Sequence, residues 1–211
     1  MFTGIVETTG FVKELNNNKE NFEVTIQVND HPTFLSDCQI GDSIACSGIC
    51  LTVIEFDSKE NWFKVGISLE TLRRTTIEKM WTKIGDTINL ERAMGTGNQR
   101  FGGHYVQGHV DTIAEVVSAE QEGDSVNFKY KLRDLENVKY IVEKGFITVD
   151  GASLTVTFVD DDEGIFGVSM INHTRSILCK RDIGTFVNIE VDVTGKMIAK
   201  QVELYMKKFT K

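Results

Sequence analysis

The sequence has few cysteines, fewer basic than acidic residues, and no long apolar run. Its 23 lysines and arginines stand against 31 aspartates and glutamates, which gives a formal net charge of −8. An acidic chain lacks the basic surface that binds phosphate backbones, so we expect no nucleic-acid partner. No stretch reaches the roughly 18 uninterrupted apolar residues that typify a membrane span, so we expect no membrane association.

The cysteine content and the first residues indicate the compartment. The four cysteines are Cys38, Cys46, Cys50 and Cys179, and no basic region followed by an apolar core opens the chain. We therefore expect a cytoplasmic protein whose thiols stay reduced. Hydrophobic residues make up 41% of the 211 residues and charged residues 26%, which is typical of a chain that buries a core. Global disorder is excluded on this ground.

The sequence repeats itself at an offset of about 103 residues. From Ile44 to Thr71 this offset gives ten identities in 28 columns, including residues 51–53 on residues 154–156. Offsets of 104 near the start and 99 at Gly85 extend the match. Such small changes are expected where insertions fall in turns. We predict two homologous domains, residues 1–97 and 98–192.

Short runs within each half alternate with a period of two and are rich in β-branched and aromatic residues. They cover residues 22–28, 62–67, 87–90, 128–132, 166–170 and 186–191. Such runs are typical of strands, and glycine-containing turns separate them. About six short strands per half, with few segments of helical period, predict an all-β chain of two small antiparallel barrels.

The tail after residue 192 has a helical period instead. Its apolar residues recur at spacings of four, three and four: Ile198, Val202, Tyr205 and Phe209. We predict one amphipathic helix over residues 193–211, with Thr194 as its N-cap. This helix lies outside both repeats. Its apolar stripe either docks on a barrel of the same chain or packs against equivalent helices of other subunits.

A glycine-rich segment, residues 102–111, contains His104 and His109. Two histidines suggest zinc, but at five residues apart on an extended chain their side chains face opposite sides, and no further ligands complete a site. The segment also lacks the GxxxxGK[ST] pattern of a phosphate-binding loop. We predict neither a metal site nor a nucleotide loop here.

A second motif occurs once in each half. A glycine turn is followed by a small nucleophilic or hydroxyl side chain and, two residues later, by threonine: Cys50 and Thr52, then Ser153 and Thr155. A strand places each pair on one face. A single such motif usually satisfies only local backbone groups, but its repetition at the same spacing favours a binding role.

The two halves also differ at equivalent positions. Glu70 can accept hydroxyl protons from a polyol, although an exposed glutamate there is often only a solvated strand end. Such asymmetry is expected if each half binds one molecule of the same compound and the two molecules have different roles. The unequal pairs are Cys50 and Ser153, Ile5 and His109, and Glu70 and His173.

Four ordered motifs span the chain: Met1-Phe2-Thr3-Gly4-Ile5-Val6-Glu7, Gly48-Ile49-Cys50-Leu51-Thr52-Val53, residues 102–111, and residues 144–156. They closely resemble the riboflavin synthase family of the α-chain type. The resemblance implies two six-stranded Greek-key barrels and a C-terminal helix that helps form a homotrimer. It further implies one 6,7-dimethyl-8-ribityllumazine per barrel, no metal or organic cofactor, and an active site between the N-terminal barrel of one subunit and the C-terminal barrel of its neighbour.

The implied reaction is a dismutation. One lumazine donates a four-carbon unit to another, giving riboflavin and 5-amino-6-ribitylamino-2,4-pyrimidinedione. One alternative is a non-catalytic lumazine- or flavin-binding antenna-type protein, in which the second site motif is expected to have decayed. A flavin-linked oxidoreductase is a further alternative, but it needs a nicotinamide-binding βαβ unit that the sequence does not show.

The resemblance also implies site residues. Those of the N-terminal barrel are Gly4, Ile5, Val6, Cys50, Leu51, Thr52, Gly66, Ile67, Ser68, Leu69, Glu70 and Thr71. Those of the C-terminal barrel are Gly108, His109, Val110, Ser153, Leu154, Thr155, Ser169, Met170, Ile171, Asn172, His173 and Thr174, and Lys144 is implied to contribute across the interface.

For catalysis we expect roles for five of these residues. Ser153 and Thr155 are expected to donate hydrogen bonds or position water, His109 to shuttle a proton or orient the substrate, and Cys50 with Thr52 to serve the N-barrel molecule. One departure concerns residues 172–174, Asn-His-Thr, where bacterial relatives carry Pro-Glu-Thr. The resemblance therefore implies no carboxylate contact to the ribityl chain of the C-barrel substrate.

Overall fold

Two closed barrels, each of six antiparallel strands, form the body of the protein. The computed structural model describes residues 1–18, 21–95, 97 and 100–209, and only the backbone of Asn21. The first barrel has the order β1-β2-β5-β4-β3-β6 and consists of β1 (Thr8–Asn18), β2 (Asn21–Val28), β3 (Ser43–Cys46), β4 (Ile49–Asp57), β5 (Trp62–Ile67) and β6 (Thr87–Arg92).

The second barrel repeats this topology with the order β10-β11-β8-β7-β12-β9. Its strands are β7 (Thr112–Glu122), β8 (Ser125–Leu132), β9 (Phe146–Val149), β10 (Ala152–Asp160), β11 (Ile165–Ile171) and β12 (Phe186–Val191). All six runs predicted as strands lie within these bounds. The predicted fold class is therefore confirmed.

Both barrels close with the help of bulges at equivalent positions. The register of β1 with β2 shifts between Val12 and Glu14, and that of β7 with β8 shifts between Val116 and Ser118. The hairpins β4–β5 and β10–β11 carry a second matched pair of shifts. Because a bulge bends its strand and increases the local twist, these four irregularities curve the sheets into closed barrels.

Short helices connect some strands. They are α1 (Leu69–Arg74), α2 (Ile77–Met80), a 3₁₀ helix (Leu135–Tyr140) and α3 (Asn172–Ile177), and the longer α4 (Val193–Met206) follows the last strand. Residues 69–71 and 172–174, expected at strand ends, therefore lie in helices. In the first half the Ser68 side chain caps α1 by accepting from the Thr71 N–H, which ends the strand one residue earlier.

The C-terminal helix begins one residue before the predicted N-cap. Asp192 is the cap, and its carboxylate accepts a hydrogen bond from the backbone N–H of Thr194, so Thr194 as N-cap was wrong. The stripe residues Ile198, Val202 and Tyr205 are 60%, 53% and 61% exposed. The described part of the chain thus leaves the stripe uncovered. The last two residues of the predicted helix, 210 and 211, lie outside the described residues.

The segments that precede the two barrels cross between them. Phe2 pairs with Val106 in an antiparallel bridge, with N–O distances of 2.7 and 3.2 Å. These two residues are equivalent in the repeat, and with Ala45 they form a small core between the barrels. Residue 98, where the predicted second domain starts, lies outside the described residues, and the domain boundary stays a prediction.

Buried asparagines tie the barrels together with near two-fold symmetry. The Asn89 amide donates to the Asp150 carbonyl at 2.9 Å, and the Asn188 amide donates to the Ser47 carbonyl at 2.9 Å. Their side-chain oxygens accept from backbone N–H groups of the opposite half. Because these backbone groups are buried away from water, the asparagine side chains supply the hydrogen bonds that the groups would otherwise lack. None of the described helices is long and apolar enough to cross a membrane.

Candidate ligand-binding site

In each barrel one pair of neighbouring strands separates at one end. Pairing of β4 with β5 begins at Val53 and Val65, so residues 50–52 and 66–67 lie beyond the paired region. Pairing of β10 with β11 begins at Val156 and Val168 in the same way. The gap between the separated ends is a cleft edged by backbone and by most of the predicted contact residues. Convergent backbone groups of this kind orient small planar ligands.

The side chains along each cleft alternate as predicted. Leu51 and Leu154 point into the barrel cores and are 4% and 9% exposed. Thr52 and Thr155 are exposed, and the residue two positions before each is half-buried. Cys50 with Thr52, and Ser153 with Thr155, therefore share the outer face of their strands.

Each cleft is completed by a segment from the other half of the chain. The backbone N–H of Ser153 donates to the Gly4 carbonyl at 2.7 Å, and that of Cys50 donates to the Gly108 carbonyl at 2.8 Å. Val6 belongs to the core of the second barrel, and Val110 packs against that of the first. The expected grouping was therefore wrong. Residues 4–6 lie with Ser153, and residues 108–110 lie with Cys50, because both segments cross over before their barrels begin.

Glycine is required at both crossing points. Gly4 and Gly108 have φ values of +77° and +78°, in the left-handed region. A Cβ on Gly4 would lie 2.5 Å from the Ser153 Cβ, and one on Gly108 would lie 2.6 Å from the Cys50 Cβ. Any larger residue would push the segment off the strand it completes.

A buried carboxylate at the end of each barrel holds the crossing segment. Glu91 accepts from the N–H groups of Thr3 and Gly4 at 2.7 and 3.1 Å. Glu190 does the same for Gly108 and for His109, both at 2.9 Å. Burial raises the pKa of both carboxyl groups, while these hydrogen bonds act in the opposite direction. The clamps hold the segments mainly through backbone N–H groups, and the Thr3 hydroxyl also donates to Glu91 at 2.8 Å.

His104 contacts a predicted site residue, Ser153, and was not itself predicted from the sequence. Its Nδ1 lies 2.6 Å from the Ser153 Oγ, and its Nε2 lies 3.2 Å from the Thr148 Oγ1. The ring stacks on Phe146 at a centroid distance of 5.0 Å. Burial lowers the pKa of the imidazole, so the ring is neutral near pH 7 and has one donor and one acceptor nitrogen. Its place beside His109 in a glycine-rich motif was the available signal.

His109 lies at the cleft of the first barrel. Its ring is exposed, next to the Gly108 carbonyl that Cys50 binds. The equivalent residue at the second barrel's cleft is Ile5, which is 48% exposed. The two clefts thus share a backbone design, but one presents an imidazole and a thiol and the other an aliphatic side chain and a hydroxyl.

The structure assigns surroundings, but no ligand contact, to three further predicted residues. Lys144 is exposed in the turn before β9. The Glu70 carboxylate forms surface ion pairs with Arg73 and Arg74 at 3.7 and 3.0 Å. His173 is exposed in α3. Among the described residues no group of three or more potential ligands converges on a metal position. The roles of these residues and the absence of a metal or cofactor stay predictions.

The comparisons with known proteins agree with this geometry. The sequence matches the lumazine binding domain twice, at residues 3–93 and 107–192. It is 51% identical to a riboflavin synthase of Saccharomyces cerevisiae, over 97% of this chain and 87% of the relative. It is 48% identical to a riboflavin synthase of Meyerozyma guilliermondii, over 100% of this chain and 90% of the relative.

Solved structures share the fold. LumP in complex with 6,7-dimethyl-8-(1'-D-ribityl) lumazine aligns with a TM-score of 0.77 over 91% of this chain and 99% of LumP. At 21% sequence identity this likeness concerns the fold alone. Two lumazine binding domains in one chain define the class of protein. Within that class, the chain belongs to the riboflavin synthase family.

Proposed function

We propose that this protein is a riboflavin synthase, a transferase that converts two molecules of 6,7-dimethyl-8-ribityllumazine into riboflavin and 5-amino-6-ribitylamino-2,4-pyrimidinedione. The observation that carries this proposal is the pair of clefts. They have the same backbone design, so both suit the same heterocycle, yet their side chains differ. One site then holds the donor of the four-carbon unit and the other holds its acceptor. The names of the relatives support the same reading.

Positioning supplies most of the rate in this mechanism. Holding two reactants in aligned contact accounts for about 7 to 11 kcal/mol of barrier. The lumazine ring delocalises the anion formed at its 7-methyl group, so hydrogen-bond donors directed at this charge are the main electrostatic aid. No metal or organic cofactor takes part.

The side chains divide between the two molecules. At the first barrel, Cys50 and Thr52 contact one lumazine, and His109 moves or orients a proton there, because the crossing segment brings it to this cleft. At the second barrel, Ser153 and Thr155 donate to the other lumazine or position water. The neutral imidazole of His104 accepts from or donates to Ser153 and so sets the direction of the serine proton. His104 is a positioning residue in this scheme.

The working enzyme in this proposal is a cytoplasmic homotrimer. The uncovered apolar stripe of α4 supports it, since a stripe of this kind packs against its own copies in other subunits. Trimer formation brings the N-terminal barrel of one subunit to the C-terminal barrel of the next. Each such pair then forms one complete active site.

The test is turnover of 6,7-dimethyl-8-ribityllumazine by the purified protein with no cofactor added. We expect riboflavin to form, and an equilibrium titration with a non-reacting lumazine analogue to give two ligands per chain. Ser153→Ala and His109→Ala should each lower kcat by about tenfold or more. Ser58→Ala, an exposed serine in the turn after β4, is the matched control and should leave kcat unchanged.

Three other outcomes would each contradict a different part of this proposal. Tight lumazine binding without riboflavin formation would favour an antenna-type binding protein. Full kcat in both variants would show that the side-chain roles are wrong even if the activity is present. One ligand per chain at saturation would contradict the paired clefts.

A further inference from the structure

The two barrels differ at one end. This is the end covered by the chain segment after α1 in the first half and by the segment after α3 in the second. In the first half, α2 and Trp81 close this end, and Ile77 and Trp81 are 0% and 1% exposed. The repeat offset falls from 103 at Thr76 to 99 at Gly85, so the second half is four residues shorter there. It has no counterpart of this plug among the described residues.

A cavity of about 720 Å³ lies at this end of the second barrel, next to the shortened segment 178–183. Its walls are largely apolar, and volumes of this size accommodate drug-sized ligands. The main apolar side chains are Val126, Phe128, Met170, Leu178 and Val187. On β11, Met170 is buried whereas Ser169 and Ile171 are exposed, so the cavity lies on the inner face of β11 at the open end of the barrel, across the strand from the outer face of the lumazine cleft.

A tyrosine hydroxyl borders the cavity. Tyr130 lines the cavity and is 2% exposed, with its ring stacked on Phe166 at a centroid distance of 5.3 Å. Its hydroxyl has no hydrogen-bond partner among the described residues. Burial raises its pKa further above neutrality, so it remains a protonated donor. The hydroxyl oxygen is open to the cavity, where it can donate to a bound ligand.

Polar groups surround this hydroxyl on one side of the cavity. Arg181 and Asp150 form a buried ion pair, Nε to Oδ2 at 2.8 Å, and both line the cavity. Arg181 also donates from Nη1 to the Lys180 carbonyl at 3.4 Å, and its remaining guanidinium N–H groups are free for a ligand. Lys180 and Arg175 also line the cavity. Lys180 pairs with Asp182 of the same lining at 3.1 Å, whereas no acidic partner is found for Arg175 in the described part of the chain.

The internal repeat shows that this chemistry is particular to the second half. The residues equivalent to Tyr130 and Asp150 in the first half are Ile26 and Ser47. Ile26 is 0% exposed within a filled core. The second barrel thus lacks the plug and has in the same place a tyrosine, an ion pair and an open mouth.

We propose that this cavity is a second ligand site, distinct from the lumazine clefts, which binds a small aromatic organic anion. The aromatic body contacts the apolar walls and the stacked Tyr130 and Phe128 rings. The acidic group faces Arg175 and the free N–H groups of Arg181, and the Tyr130 hydroxyl donates to a polar atom of the ligand. This proposal does not depend on the synthase reaction.

The test uses 8-anilinonaphthalene-1-sulfonate as the probe and the full chain with riboflavin present to occupy the lumazine clefts. We expect one saturable probe site per chain by fluorescence and calorimetry. Tyr130→Phe should weaken binding of the probe by about two- to tenfold, the range expected for the loss of one hydrogen bond. Ala119→Phe, which fills the cavity from a wall residue exposed on β7, should abolish binding.

The charge is tested by a matched pair. Arg175→Gln should weaken binding of the probe severalfold. Arg73→Gln, an exposed arginine in the equivalent helix of the plugged barrel, should leave the affinity unchanged. The proposal is overturned if no probe binds in the presence of riboflavin, or if Tyr130→Phe and Arg175→Gln both bind as the native chain does. Near-UV circular dichroism verifies the fold of each variant, and if Ala119→Phe is not native the other two variants decide.

Discussion

At the scale of single residues, the crossing points and the buried histidine carry the site. Gly4 and Gly108 allow each segment to lie directly on the strand it completes. His104 connects one of these strands, through Ser153, to Thr148 on the neighbouring strand. These positions tolerate little change, because both steric room and hydrogen-bond direction are set by contacts between the two halves.

Gly4→Ala should destabilise the protein more than an alanine substitution at another glycine that also has a positive φ but has no neighbouring atoms where the Cβ would lie. Gly41 is the matched control, since its φ is +96° and a Cβ at this position would meet nothing within 4 Å beyond its chain neighbours. We expect about 1 to 2 kcal/mol for Gly41→Ala from the left-handed backbone. Gly4→Ala should cost about 1 to 3 kcal/mol more, from the clash with Ser153. Urea unfolding at equilibrium measures both, and equal losses would contradict the role of the contact.

His104 should make stability depend on pH. Burial lowers its folded-state pKa, so as the pH falls below about 6.5 the unfolded chain binds a proton that the folded chain does not. Stability is therefore lost on acidification through this range. His104→Gln removes this contribution, and its urea midpoint should fall less between pH 7.5 and 5.5 than that of the native protein.

The exposed His173 provides the control for this experiment. His173→Gln should keep the native dependence of the midpoint on pH, because its ring is not buried in the fold. Identical pH profiles for the native protein and His104→Gln would show that the imidazole is not held neutral by burial.

At the scale of elements, α4 is the part of the chain whose contacts are incomplete. Its cap at Asp192 is formed, and Lys196 pairs with Asp111 at 2.9 Å, so the start of the helix is anchored to the second barrel. Farther along, the apolar stripe has no cover in the described chain. An anchored helix with an uncovered stripe presents a fixed surface to another subunit.

Charge on this stripe should break the trimer, whereas charge elsewhere on the helix should not. Ile198→Glu with Val202→Glu places two carboxylates in the expected interface, which costs desolvation without a partner. We expect sedimentation to show monomers and turnover to be lost. Lys200→Glu, on a different face, is the control and should sediment as the native protein does. A chain truncated after Asp192 that remains an active trimer would contradict the role of α4.

At the scale of the whole molecule, the barrels behave as one unit because buried asparagines cross between them. The Asn188 side chain donates to the Ser47 carbonyl at 2.9 Å and accepts from the Thr76 N–H at 2.8 Å. Asn89 makes the equivalent bridge in the other direction. Loss of one bridge leaves two buried backbone groups without partners, each of which costs about 1 to 3 kcal/mol.

Asn188→Leu should therefore lower stability and uncouple the barrels. Both tryptophans, Trp62 and Trp81, belong to the first barrel, so their fluorescence follows that barrel, while far-UV circular dichroism follows both. In the native protein the two unfolding curves should coincide. In Asn188→Leu we expect them to separate. Asn17→Leu, an exposed change on β1, is the control, and coincident curves with an unchanged midpoint in Asn188→Leu would refute the coupling.

Much of the architecture was predictable because it depends on local and repeated patterns. Period-two alternation located strands such as β5 and β12, and the repeat at residues 44–71 predicted a second barrel of the same kind. The motif at Cys50 and Ser153 located one edge of each cleft. The helical turns at residues 69–71 and 172–174 were missed, since each helix is only six residues long and shows no clear period.

The sequence by itself determined the strands, the duplication and the residues at the cleft edges, because strand periodicity and turn glycines act over a few neighbouring residues. Only the tertiary structure decided which segment completes which cleft, the placement of His104 against Ser153, and the open end of the second barrel. These features depend on contacts between residues roughly 50 to 150 positions apart. Such contacts arise from how two similar barrels pack around their shared axis, which no local pattern encodes.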